Sequence, residues 1–107
     1  MSLSNNLTSA IVTYLNYNGC FVWRNNTIGV YDPTKKIFRK NKNQLNGIAD
    51  IVGVLPNSNF LAVEVKIGKD KLSEAQEEFR RKLTLNGGIY IIAKNFDDFV
   101  KDIILFL

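Results

Sequence analysis

The chain contains no histidine. That excludes imidazole general bases, histidine-dependent nucleophilic triads and His-ligated zinc, and leaves carboxylates and lysines for any catalysis. Its single cysteine, Cys20, cannot form an intramolecular disulfide, and with no signal-peptide pattern a reducing, cytoplasmic setting is the expectation. No apolar run is long enough to span a bilayer, because the C-terminal one is interrupted by Asp97, Asp98, Lys101 and Asp102. Neither an internal repeat nor a linker breaks the chain. Acidic residues are also missing from positions 1–19.

What is present suits one compact domain over residues 1–107, with hydrophobic residues at 46% and charged residues at 22%. The net charge of +4 favours a polyanionic partner, and its distribution says more than its size. Lys35, Lys36, Arg39, Lys40 and Lys42 fall within "KKIFRKNK", uninterrupted by any acid. Such a cluster is either a solvated loop or a surface that contacts phosphates.

Leu3, Leu7, Ala10, Ile11, Tyr14, Leu15 and Asn18 recur at helical spacing, which predicts an amphipathic helix ending at Asn18-Gly19. "CFVWR" at 20–24 reads as a short buried strand. The polar stretch 25–46 carries the turn signal Asp32-Pro33 and allows short strands at 27–31 and 36–40. "GIADIVGVL" and "FLAVEVKI", separated by "PNSN", predict a hairpin over about 48–67. Ser73 and Gln76 have the spacing of a capping box, followed by Ala75, Phe79 and Leu83 on one helical face and Glu77/Arg81 and Glu78/Lys82 pairs on the other. "GIYIIA" at 88–93 reads as a buried strand. Phe96, Phe99, Val100, Ile103, Ile104 and Leu107 then describe a last helix capped by Asn95. The order α-β-β-β-α-β-α specifies an α/β fold with a mixed central sheet flanked by helices.

Within "FLAVEVKI", strand alternation puts Glu64 and Lys66 on one face and Leu61, Val63, Val65 and Ile67 on the other. If Glu64 binds a metal, a second hard oxygen must share its face, and Asp50 in the preceding apolar run is the candidate. Directly opposed residues of a hairpin share a face, so Asp50 meets Glu64 only through an odd loop, Pro56–Ser58 or a five-residue version. In that register Asp50, Glu64 and the Val65 carbonyl can hold one divalent cation. The Lys66 ammonium lies one pleat away, able to orient a water or offset phosphoryl charge. Taken alone, the spacing D-x13-E-x-K is described more readily by an ion network on the wet face of an edge strand.

The ordered set Gly47, Asp50, Glu64, Lys66, Gln76, Gly87 and Gly88, with "FVWRNN" upstream, resembles the virus-type replication-repair nuclease (VRR-NUC) domain of the PD-(D/E)XK nuclease superfamily. The resemblance implies a restriction-endonuclease-like fold and metal-dependent hydrolysis of DNA phosphodiesters. It implies that Asp50 and Glu64 bind Mg²⁺ or Mn²⁺, that Lys66 is catalytic, and that Gln76 assists near the metal or the DNA while also serving its helix cap. Arg24, Lys69 and Lys71 join the basic cluster as candidate phosphate contacts. Stand-alone members of this kind are similar to Holliday junction resolvases of phage or mobile-element type, which implies branched or junction DNA, a role in DNA repair, and a homodimer matched to a two-fold junction. Two positions depart from the pattern. Ala49 stands where the superfamily has proline, and Asn5 and Asn6 stand where a first-helix glutamate is common; an amide adds no negative charge. The rival expectations are a nuclease-fold module that binds nucleic acid without cutting it, and a domain that assembles only with proteins.

Overall fold

A computed structural model describes residues 2–25, 30–39 and 45–107, with 30–32 and 37–39 described by their backbone alone. The first helix, α1, spans Leu3–Tyr17, and the Ser2 hydroxyl caps it by accepting the Asn5 N–H at 3.1 Å. Four strands form the main sheet: β1 (Phe21–Arg24), β4 (Ile51–Val54), β5 (Phe60–Val65) and β6 (Ile89–Ala93), in the order β1-β4-β5-β6. β1 pairs antiparallel with β4 and β4 with β5, whereas β5 and β6 run parallel, joined through helix α2 (Glu74–Leu85). Helix α3 (Phe96–Ile103) follows, capped by the Asn95 side chain accepting the Asp98 N–H at 2.8 Å. β2 (Val30–Asp32) and β3 (Ile37–Arg39) form a separate two-stranded hairpin around the turn at 33–36. This is the expected mixed sheet flanked by helices, a restriction-endonuclease-like fold.

Strand alternation divides the sheet into two unlike faces. Ile51, Leu61, Val63, Val65, Ile91 and Ala93 meet Ile11 and Leu15 of α1 and Phe99 and Ile103 of α3 in the main core. On the opposite face a small cluster of Ala49, Val52 and Ala62 packs beneath Phe79 and Leu83 of α2 and beside Tyr90. No residue of α2 is fully buried.

The central hairpin has the register needed to bring Asp50 opposite Glu64. Ile51 faces Val63 and Val54 faces Phe60. Leu55 and Asn59 close the hairpin through the Leu55 N–H to Asn59 carbonyl bond at 2.9 Å. The loop is therefore Pro56–Ser58, and Ser58 takes a left-handed φ of 74°, the usual way a three-residue turn reverses the chain.

Three expectations need correction. β1 is not a buried strand: it lies at the sheet edge with a helix over one face only, so Val22 is buried while Phe21, Trp23 and Arg24 are exposed. The last helix ends at Ile103 and tightens into a 3₁₀ turn over Ile104–Phe106. A tighter turn breaks the 3.6-residue spacing, and Ile104, Leu105 and Leu107 are exposed. On α2 the expected Glu78/Lys82 pair forms at 3.8 Å, but Glu78 also bonds Arg81 at 3.0 Å, and Glu77 approaches Arg80, not Arg81. Positions three and four apart are both neighbours on a helix, and the closer turn takes the arginine here.

Candidate active site

The site forms where β4 and β5 part. Ladder pairing ends at Ile51 and Val63; continued by two residues, it would offer the Val65 N–H to Ala49. Instead the Val65 N–H donates to Asp50 Oδ2 at 2.9 Å. Asp50 is thus oriented by backbone, and the Asn25 N–H donates to its carbonyl at 2.8 Å. A strand residue directs its N–H and carbonyl to the same side, so the Val65 carbonyl is aimed toward the Asp50 side of β5.

Glu64 belongs to the α2 face and is 3% exposed, and its Oε2 is buried with no hydrogen-bond partner among the described residues. Burial chiefly, then the hydrogen bond and negative charge of Asp50, push its pKa up to about 8, with Lys66 acting in the opposite direction. That upward shift favours the protonated form of Glu64 so long as no cation faces it. An unpartnered carboxylate oxygen in so dry a place is costly unless something positive meets it. Two hard carboxylates and a nearby carbonyl suit Mg²⁺ or Mn²⁺ better than softer metals, so the residues present fit the implied ion. Among the described residues no group of three or more His, Cys, Asp or Glu side chains comes together, so no third such side chain joins Asp50 and Glu64 there.

Gln76 completes the capping box: its Oε1 accepts the Ser73 N–H at 2.9 Å while its own N–H donates to Ser73 Oγ at 3.2 Å. Its carbonyl is committed to the helix start and its amide NH₂ remains for another role. Gly47 ties this helix to the site. It has φ of +73°, and a Cβ there would lie 2.3 Å from the Ala75 carbonyl oxygen, so only glycine lets the segment leading to Asp50 press against the first turn of α2.

The remaining sequence candidates are scattered. Arg24 pairs with Ile51 and so belongs to the α1 face, where its guanidinium donates to Asn5 Oδ1. Lys35 and Lys36 lie in the turn of the separate hairpin, and Arg39 ends β3. Lys40 and Lys42 lie outside the described residues. Lys69 is exposed just past β5, whereas Lys71 shares with Lys66 a cleft of about 340 Å³ that also has Lys94, Asp70 and Glu77 in its wall.

Two neighbours of the site escape a reading of the sequence. Lys94 follows β6 and reaches the cleft only because β6 runs beside β5. Tyr90 looks like one more apolar residue of its strand, yet its register opposite Ala62 puts it on the α2 face. Its hydroxyl is buried without a partner among the described residues, and the Arg80 guanidinium lies 5.8 Å from its ring centre. Burial first, then the Glu64 charge, raise the Tyr90 pKa, with Arg80 opposing. Period-two counting across the parallel pair was the only available signal.

Among known families, the one described as the VRR-NUC domain matches residues 21–96. No curated protein and no solved structure matches the chain. The matched span includes Asp50, Glu64, Lys66, Gln76 and Arg24, and excludes α1.

Proposed function

The chain belongs to the VRR-NUC domain family, a nuclease family, and we propose on that premise that it is a divalent-metal-dependent DNA endonuclease, selective for branched or junction structures. The observation that carries this reading is the buried, unpartnered Glu64 oxygen opposite an Asp50 already fixed by the Val65 N–H. In this reading Asp50, Glu64 and the Val65 carbonyl hold the ion. Bound there, Mg²⁺ or Mn²⁺ would polarise the scissile phosphate and acidify a water.

The chain's own residues supply the rest. Asp50 stays oriented through its backbone bond, and Glu64 gives up its proton when the site is filled. Lys66 orients the attacking water and offsets charge that develops on the phosphoryl oxygens. Lys71, Lys94 and Lys69 hold flanking phosphates, with Arg24 and the Lys35 to Lys42 cluster further out. So small a domain offers little surface for reading base edges, which favours recognition by backbone and shape. A two-fold junction would suit a homodimer.

A second reading, binding without cleavage, is favoured by one feature: α1 has no acid in its first turn, and Asn5 is engaged with Arg24. Incubating the protein and Glu64→Ala with four-way, flapped and linear duplex DNA in Mg²⁺ or Mn²⁺ separates the two. The enzyme reading expects cleavage of branched substrates that falls at least about a hundredfold in the variant. DNA bound but left intact in both metals would establish the second reading.

A further inference from the structure

Phe21 and Trp23 project from β1 with 68% and 47% of their surfaces exposed, and their ring centres lie 5.4 Å apart at a tilt of 52°. Adjacent exposed aromatics of this size are unusual on a small soluble domain. Their position is specific. Trp23 faces Val52 and Phe21 faces Val54, so both belong to the sheet face that carries Asp50, Glu64 and Lys66. Two strand residues, roughly 7 Å, separate the Trp23 level from Asp50. α2 packs over Ala49, Val52 and Ala62, and the Phe21 and Trp23 rings beside them stay exposed.

The other face of β1 shows no such exposure of apolar rings. There Val22 enters the main core and Arg24 is engaged by Asn5. The rings also point out of the sheet plane, not along its edge. A second copy adding a strand beside β1 would use the backbone edge, whereas a ligand approaching the carboxylates would meet the rings.

We infer that Phe21 and Trp23 form a stacking platform for unpaired nucleobases beside the scissile phosphate, so that the preferred substrates carry unpaired nucleotides next to the cleaved bond. This deepens the nuclease reading and rests on it for the position of the cleaved bond. Bases stack on aromatic rings with little regard to sequence, and the net charge of +4 favours the strand that carries them.

Trp23 is the only tryptophan of the chain, so its fluorescence reports the contact directly. Titrated in EDTA, where nothing is cut, single-stranded oligothymidylate and a flapped duplex should quench it, and a blunt duplex should not. The double variant Phe21→Leu/Trp23→Leu, which keeps apolar bulk, should bind the fluorescein-labelled flap about tenfold or more weaker by anisotropy. Its affinity for blunt duplex and its melting temperature should be unchanged, and Trp23→Phe should restore most of the flap affinity. Absent quenching, equal losses on flap and duplex, or loss of self-association in the variant by sedimentation would overturn the platform; the last would make the rings a protein interface. Cleavage of branched DNA without quenching defeats the platform and leaves the nuclease reading standing. Quenching without cleavage in any metal does the reverse.

Discussion

Against α1 and α3 the sheet presents Ile51, Leu61 and Val63 with no exposed surface, closed over by Phe99 and Ile103. Against α2 it presents Ala49, Val52 and Ala62, and the helix above them buries no residue completely. The first face leaves no orphaned polar side-chain atom among the described residues, while the second holds the only two, Glu64 Oε2 and the Tyr90 hydroxyl. The difference teaches a division of labour. Apolar area buried under α1 and α3 stabilises the chain, and that surplus lets the α2 face keep polar groups whose burial is unfavourable.

The contrast should appear first in core truncations. Phe99→Ala is expected to cost about 3–5 kcal/mol in urea unfolding, and Phe79→Ala about 1–2 kcal/mol, because Phe79 is only partly buried, over small neighbours. Equal costs would break the comparison. Next comes pH. The folded protein keeps the Glu64 proton up to about 8, whereas an unfolded chain releases it near ~4.3. Metal-free stability should therefore be full below the lower value, fall as pH rises between the two, and level off above about 8. The total fall should be on the order of 5 kcal/mol. Glu64→Gln should remove that slope and be the more stable protein at the alkaline end, as measured by denaturant midpoints across pH. Gly47→Ala, whose Cβ would meet the α2 backbone at 2.3 Å, should destabilise by about 2–3 kcal/mol and impair cleavage through the displaced Asp50 segment. The smallest effect belongs to Ser73→Ala: loss of the α2 cap should cost about 1 kcal/mol, visible as a modest drop in melting temperature.

The features legible in the sequence are those fixed by local rules. The hairpin was legible and its register reduced to the parity of one loop, which the structure settles as odd; the caps at Ser73 and Asn95 followed from side-chain oxygens placed before helical runs. Once that parity is known, strand alternation puts Asp50 and Glu64 on one face. What was illegible depends on which strand becomes the edge and what covers it. "CFVWR" has the composition of a buried strand, and nothing within it says that β1 has a neighbour on one side only among the described strands. Nor does the sequence say that Arg24, a candidate phosphate contact, lies on the α1 face through its pairing with Ile51. Tyr90 and Lys94 join the site through the parallel β5–β6 pairing, a long-range contact with no local trace.

The central claim is that Asp50 and Glu64 form a cation site for which the dry α2 face is built. Calorimetric titration of Mn²⁺ into the metal-free protein tests it most directly, run between pH 6 and pH 8 beside Glu64→Gln. The account predicts one ion per chain, affinity that strengthens as pH rises because the ion displaces the Glu64 proton, and loss of binding in the variant. Mn²⁺ affinity that is independent of pH and the same in Glu64→Gln would contradict it.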